Sequence, residues 1–371
     1  MTHPRRSKGS RRDGQTAGGQ FAPDQIPVSV PFEDTPTASS LTPLARDHRE
    51  QFRDLIQAAA MEGDLNGYFV ERDYWMCQVA TCLLVESKRY PGSYTSVGGG
   101  SLLSLIGITE RLSEDVDISV TFVDGADACS SNKSKNLMEE CQANVETLLG
   151  ISGERSVGGG GNYFRTVQYE YPSVLPASEL NPPTLKSDKG LRDAPKESLI
   201  EVQGIPYLGR FAEQQEFGLA PDLAPRRVVG THPLQILADK LDAVCWREAL
   251  VATEGEKGLN RMISRIRDHY DIHCTIKWLQ DNNLLDADAF IEACERTKNQ
   301  GRTMHKKMKR TVRPQQDRPR QGYDTLRAWT PGSLEHSALS KEYPKLRSVV
   351  FGDLPAYSEV CGTIHSVSGI I

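Results

Sequence analysis

Two aspartates separated by one residue, Asp115 and Asp117, are the side chains in this sequence best suited to chemistry. They lie in the segment Glu114–Phe122, where apolar and polar residues alternate, and this pattern predicts a half-buried β-strand. Alternate side chains leave a strand on the same face, so both carboxylates point away from the core. Two close carboxylates raise each other's pKa, and a bound hard cation removes that cost. The pair predicts a site for Mg²⁺ or Mn²⁺; a solvated strand face is the alternative.

A glycine-rich turn, Gly98–Ser101, precedes this strand. It follows a short predicted strand at Tyr94–Val97 and opens a predicted helix at Leu102–Ile106. Backbone N–H groups at such a turn can approach the phosphates of a nucleoside triphosphate, although a plain tight turn has the same composition. The whole order, from strand through turn and helix to the strand with two aspartates, is more specific than either half. It predicts a triphosphate site beside a metal.

Composition limits the classes of protein to which the chain can belong. Its 371 residues predict about two domains, and the net charge of −5 means that any nucleic-acid contact must come from a local patch. No run of 18 apolar residues occurs and no apolar segment follows the basic N-terminus, so we expect a cytoplasmic protein with no membrane contact. The eight cysteines contain no CxxC pair, which favours reduced thiols over disulfides or zinc ligands.

The chain divides into three parts by composition and periodicity. Residues 1–46 are rich in Gly, Pro, Ser, Thr and Arg and predict a disordered tail. Residues 47–224 mix helical and strand patterns, with a Pro- and Lys-rich stretch at 172–197 interpreted as a long loop. Residues 225–371 are predominantly helical in pattern. The expected class is α+β: a core with a mixed sheet followed by an α-helical C-terminal domain.

Two motifs together resemble a known family. Val97–Leu103, reading VGGGSLL, and Arg111–Ile118, reading RLSEDVDI, are similar to the first motif of the AbiEii-type toxin nucleotidyltransferases, to which the MenT toxins are related. Three further stretches agree with that family: VERDYW at Val70–Trp75, ADKLDA at Ala238–Ala243, and RDHYD at Arg267–Asp271. The resemblance covers residues 47–280 and implies a DNA polymerase β-like nucleotidyltransferase core. This chain has Gly98 where relatives often carry a lysine.

The resemblance assigns roles to individual residues. Asp115 and Asp117 would bind the metal that bridges the triphosphate, and Asp268 would complete the catalytic group. The residues expected to contact the nucleotide are Gly99, Gly100, Ser101, Ser113 and Lys240. Ser113 lies two residues before Asp115 and is expected on the same strand face, where phosphorylation would repel a triphosphate.

A third carboxylate is usual in this superfamily, on a later strand, as the general base. The preferred residue is Glu201, in a predicted strand at Ser198–Ile205. Glu170, in another predicted strand at Tyr163–Tyr171, is the alternative.

The segment Arg302–Arg320 is strongly basic and contains a single acidic residue, Asp317. Its cations include Lys306, Lys307, Lys309 and Arg310. Such a run is either a solvated stretch or a surface that binds the phosphates of an RNA.

The resemblance implies a toxin of a bacterial toxin–antitoxin or phage-defence pair. With Mg²⁺ or Mn²⁺ as cofactor, it would transfer a nucleotide from an NTP to an RNA acceptor, with the tRNA 3′ end as the expected target and a cognate antitoxin as partner. Two alternatives remain open at this stage. The acceptor is a protein or a small molecule, or the chain binds nucleotides without turnover.

Overall fold

A seven-stranded mixed sheet forms the centre of the molecule, with strand order β3-β4-β5-β2-β1-β7-β6. The computed structural model describes residues 43–83, 86–159, 162–192, 194, 198–215, 220–308 and 322–371. The strands are β1 (Tyr94–Gly98), β2 (Asp115–Thr121), β3 (Ser152–Gly159), β4 (Phe164–Glu170), β5 (Thr184–Arg192), β6 (Leu199–Gly204) and β7 (Arg226–Thr231).

Helices cover one face of the sheet and make up most of the C-terminal half. The α-helices are α1 (Pro43–Asp47), α2 (Arg49–Gly63), α3 (Gly67–Thr81), α4 (Gly99–Leu105), α5 (Gly125–Ala128), α6 (Ser131–Leu149), α7 (Tyr207–Gln214), α8 (Pro233–Glu254), α9 (Glu256–Ile263), α10 (Arg267–Asp281), α11 (Ala287–Met308), α12 (Leu334–Glu342) and α13 (Tyr357–Ser366). Short 3₁₀ helices lie at Tyr323–Thr325, Arg327–Trp329 and Tyr343–Ser348. Among the residues described, no helix combines the length and apolar character needed to cross a membrane.

The two largest of the three hydrophobic clusters in the described residues hold these layers together. The first core joins the inner face of the sheet, including Val116 and Ile118 of β2, to α2 and α3. The second begins with Leu234 of α8 and gathers α8, α10 and the C-terminal helices around Trp329. The architecture is therefore α+β, with a core built on a mixed sheet and a helical C-terminal region.

The stretch 172–197 is not a long loop, because β5 runs through it and occupies a central place in the sheet. Only Leu185 and Leu191 give this strand an apolar signal. The other two inward-facing residues, Ser187 and Lys189, are polar yet completely buried. Periodicity of apolar residues therefore could not reveal the strand.

Element boundaries differ from expectation at two further places. Strand β7 lies beyond residue 224 and pairs with both β1 and β6, so the sheet continues into the stretch expected to be helical. Helix α1 begins at Pro43, inside the segment expected to be a disordered tail, and buries Leu44 and Ala45. The remainder of that segment, residues 1–42, lies outside the described residues.

Candidate active site

Three aspartates meet on the outer face of the sheet, where β2 and β5 pair in parallel. Asp115 and Asp117 leave β2 on the same face, and Asp188 of β5 lies directly opposite Asp117 in the register. Paired residues on neighbouring strands project to the same side of a sheet. One carboxylate oxygen from each aspartate can be chosen so that all three lie within 4.8 Å of one another.

The electrostatics of this trio favour a cation. Burial and the neighbouring charge of Asp115 raise the pKa of Asp117 to about 6, although Lys240 acts in the opposite direction. Asp188 accepts hydrogen bonds from Thr166 and from Lys186, both at 2.5 Å. A divalent cation among the three carboxylates would offset the repulsion that raises the pKa of Asp117. An all-oxygen donor set of this kind fits Mg²⁺ or Mn²⁺.

The glycine turn is explained by close contacts with these carboxylates. Gly99 has a φ of +54°, and a Cβ there would lie 2.0 Å from Oδ2 of Asp117. A Cβ on Gly100 would lie 2.1 Å from Nη2 of Arg111. Both positions exclude a side chain because the charged groups of the site pack directly against the turn.

Ser101 holds the turn against β2. Its fully buried hydroxyl donates to the carbonyl oxygen of Gly98 at 2.8 Å and accepts from the backbone N–H of Asp117 at 3.2 Å. The hydroxyl therefore positions β2, the strand that carries Asp115 and Asp117, and its hydrogen-bonding capacity is largely used inside the protein.

A cleft of about 950 Å³ opens between this face of the sheet and helices α8, α10 and α11. Asp117, Asp188 and the Gly98–Gly99 turn lie on its sheet side. Phe164 of β4 and Trp246 of α8 supply aromatic surface to its lining. The cations that line it are Arg192, Lys240, Arg247, Arg265, Lys298 and Arg302. The volume lies in the range of small-molecule sites.

Lys240 and Asp268 belong to a buried network of ion pairs. The Nζ of Lys240 lies 2.8 Å from Oδ1 of Asp268 and 2.8 Å from Oδ2 of Asp271. Arg111 donates to both oxygens of Asp271 at 2.6 and 2.7 Å, and Arg247 donates to Asp268 at 2.8 Å. The network thus joins three of the sequence motifs that resembled the family.

The network keeps its members charged. Burial alone raises the pKa of Asp268, but Lys240 and Arg247 outweigh burial and hold that pKa well below its usual range. Burial alone lowers the pKa of Lys240, and the two carboxylates more than reverse the effect. Lys240 lines the cleft beside Asp117, yet its ammonium already binds Asp268 and Asp271.

The structure brings Asp188, and not Glu201, to the aspartate pair. Glu201 lies on the edge strand β6, three strands away from β2, and binds Arg227. At about 4.8 Å per strand this separation is roughly 14 Å. Glu170 shares the sheet face of Asp188, but it pairs with Thr184, two rows further along β5. Glu201 is the residue preferred from sequence because its strand follows the aspartate pair along the chain, but the order of strands along the chain differs from their order in the sheet.

Ser113 differs from its expected placement. It precedes β2, is 3% exposed, and its hydroxyl donates to the backbone carbonyl of Asp115 at 3.1 Å. Ser113 therefore lies outside β2 with its hydroxyl bonded to the backbone, and its contact with a nucleotide stays a prediction. Its burial also argues against phosphorylation of the folded chain, since a kinase needs an accessible hydroxyl.

The basic segment lies only partly within the described residues. Lys306 is exposed at the end of α11. Lys307 donates to the carbonyl oxygens of Asp127 and Cys129 at 3.0 and 2.9 Å, so it fastens α11 to the end of α5. Lys309 and Arg310 lie outside the described residues.

Fold and site together define a nucleotidyltransferase. Residues 86–356 match the family described as nucleotidyl transferase AbiEii toxin, type IV toxin–antitoxin system, and the chain belongs to this family. The matched range spans the glycine turn, the three aspartates and the buried ion network. No curated protein matches the chain.

Proposed function

We propose that this toxin transfers a nucleotide from an NTP to the 3′ end of a tRNA, with Mg²⁺ held by Asp115, Asp117 and Asp188. The observation that supports this most is the trio of carboxylate oxygens, within 4.8 Å of one another, at the edge of a nucleotide-sized cleft. Its family supplies the class of reaction. The cognate antitoxin of the type IV pair is the expected protein partner.

Transfer is an in-line displacement at the α-phosphorus. The acceptor hydroxyl oxygen forms a bond to phosphorus while the bond from phosphorus to the bridging oxygen of pyrophosphate breaks. The hydroxyl proton passes to a carboxylate oxygen of Asp188. Bound Mg²⁺ would supply charge neutralisation and Lewis-acid polarisation of the phosphate oxygens.

The nucleotide occupies the cleft of about 950 Å³. Its triphosphate lies near the Gly98–Gly99 turn, and its base lies against the aromatic surfaces of Phe164 and Trp246. Lys240 and Arg247 contact the phosphates while they remain paired with Asp268.

Arg265 supplies the phosphate contact that relatives obtain from the lysine at the position of Gly98. It is exposed at the mouth of the cleft, and none of the carboxylates in the described part of the chain forms an ion pair with it. A guanidinium in this position can bind phosphate oxygens in a bidentate manner.

The test is incubation of the purified toxin with each α-³²P-labelled NTP, Mg²⁺ and total RNA, followed by electrophoresis. A labelled band of tRNA size that is lost on adding EDTA is expected. RNA whose 3′-terminal diol has been oxidised by periodate serves as the matched control, because it lacks the attacking hydroxyl. Labelling of oxidised RNA to the same extent would contradict transfer to the 3′ end.

The same experiment separates the other functions. Label on protein, or on a small molecule, in place of RNA would replace the proposed acceptor. Saturable binding of NTP without release of pyrophosphate under any acceptor condition would indicate a nucleotide-binding module without turnover.

A further inference from the structure

A second cleft, of about 660 Å³, is lined by Asp115, one of the three aspartates. It is lined by four cationic side chains and two carboxylates: Arg72, Lys186, Arg265 and Arg267 with Glu114 and Asp115. Arg265 lines both this cleft and the larger one. We call the two the nucleotide cleft and the second cleft.

The rows of the sheet show how the two clefts are related. On the outer face, three successive rows cross β4, β5 and β2: Gln168 with Lys186 and Asp115, Thr166 with Asp188 and Asp117, and Phe164 with Gly190 and Ser119. The first row lines the second cleft and the third row lines the nucleotide cleft. Asp117 and Asp188 lie in the row between and also line the nucleotide cleft. Successive rows on one face are about 6.6 Å apart. The clefts therefore approach the metal-binding carboxylates from opposite ends of the strands.

This arrangement matches a requirement of phosphoryl transfer. The attacking and leaving oxygens lie roughly in line on opposite sides of the phosphorus atom. If the pyrophosphate leaves into the nucleotide cleft, the attacking hydroxyl must arrive from the other side of the carboxylate row. The second cleft is the described surface that opens there, and Asp115 lies at its end.

We propose that the second cleft receives the acceptor RNA, and that Arg72 and Arg265 bind its backbone phosphates close to the reacting hydroxyl, whereas Arg267 is held by Glu114 at 2.7 Å. The inference rests on the proposed function and adds the surface that the RNA uses. Four cations against two carboxylates leave the lining net positive although the whole chain carries −5. A positive groove of this kind suits a nucleic-acid backbone.

Arg72 is the residue that best isolates this cleft. Its neighbours on α3 are directed into the protein: Glu71 accepts from the backbone N–H of Val174 at 2.8 Å, and Asp73 accepts from that of Tyr207 at 2.7 Å. Arg72 alone of these three lines the second cleft, and it does not line the nucleotide cleft. Lys186 is less suitable because it binds Asp188.

The test compares wild type with Arg72→Gln and, as a matched charge control, Lys257→Ala. Lys257 is an exposed cation on α9 that lines neither cleft. Affinity for bulk tRNA is measured across a salt series without NTP, and affinity for a fluorescent ATP analogue is measured separately. The loss of one phosphate contact lowers the slope of log affinity against log salt concentration by roughly 0.7, which corresponds to about fivefold weaker binding at 0.1 M salt. We expect this change in Arg72→Gln alone, with unchanged nucleotide affinity in all three proteins.

Each outcome decides a separate question. Parallel salt slopes for wild type and Arg72→Gln would overturn the second cleft as the RNA surface, even if tRNA is labelled normally. A flattened slope in a protein that labels no RNA would support the surface and contradict the proposed function. If Arg72→Gln also loses nucleotide affinity, Arg265→Gln decides, since this exposed residue lines both clefts. It should then weaken tRNA and nucleotide binding together, and unchanged tRNA binding would overturn the inference.

Discussion

Replacing Asp188 by asparagine tests the composition of the proposed metal site directly. Asparagine keeps the size of the side chain and the hydrogen bond from Thr166, but it removes the charge of one of the three carboxylates. Loss of a positioned acid–base group typically lowers the rate by about 10²- to 10⁴-fold. Since each tenfold step equals about 1.36 kcal/mol, the expected rise in the barrier is roughly 2.7 to 5.4 kcal/mol.

Stability should change far less than activity. The ion pair between Asp188 and Lys186 joins side chains that are 18% and 49% exposed, and such pairs contribute about 0.2 to 1 kcal/mol. Removing the charge of Asp188 also relieves Asp117, whose pKa it helps to raise. The free energy of unfolding in EDTA should therefore change by less than about 1 kcal/mol.

The matched control is Glu201→Gln. Glu201 also pairs with a partly exposed cation, Arg227, so its loss has a similar effect on stability. Initial rates of labelled-nucleotide transfer and urea unfolding curves would be measured for both variants. A fully active Asp188→Asn, or a Glu201→Gln that loses 100-fold in rate while remaining folded, would refute the assignment of Asp188.

Three further expectations concern neighbouring residues. In EDTA, Asp117→Asn should be more stable than wild type above about pH 6. Because the carboxyl pKa is raised in the native state, wild type loses stability as the pH rises from about 4 to 6 and this proton is released. Equal free energies of unfolding at pH 7 in urea titrations would contradict this. Gly99→Ala should abolish transfer by displacing Asp117. Gly255 also has a positive φ but has open space around it, so Gly255→Ala should lower stability and keep activity. An active Gly99→Ala would show that the turn tolerates a Cβ. Lys240→Met should destabilise the fold by about 3 kcal/mol. This is the lower end of the range for breaking a buried ion pair, because Arg247 still binds Asp268. A free energy of unfolding equal to that of wild type would show that the network does not depend on the lysine.

The strand with two aspartates could be predicted from sequence because its inward residues are apolar. Val116 and Ile118 alternate with Asp115 and Asp117, and β2 has the expected pattern. Strand β5 could not be found in this way, since its inward Lys189 is buried and binds the Tyr169 hydroxyl at 3.2 Å. Burial lowers the pKa of this lysine to about 8. When an inward-facing residue of a strand is polar and is buried with a polar partner, a search for alternating apolar residues does not detect the strand.

The proposal of Asp188 as the third carboxylate depends on β5, the strand that the sequence pattern does not reveal. Glu201 lies on a strand that apolar alternation does reveal, but β6 pairs with β7 at the edge of the sheet. Asp188 reaches the site because β5 lies parallel to β2 in an order that does not follow the chain. Leu185 and Leu191 are an even number of residues apart and therefore share one face of β5, which places Asp188 on the other face.

The buried ion network explains why the helical region and the sheet form one site. Arg111 extends from the segment before β2 to Asp271 on α10, and Lys240 on α8 binds Asp271 and Asp268 together. Replacing buried ion pairs by apolar residues is often neutral for stability, so stability alone does not account for this arrangement. Ion pairs have directional hydrogen bonds, however, and an apolar contact does not. The network therefore fixes the distance between α8 and the aspartate row, and with it the width of the cleft that we propose for the nucleotide.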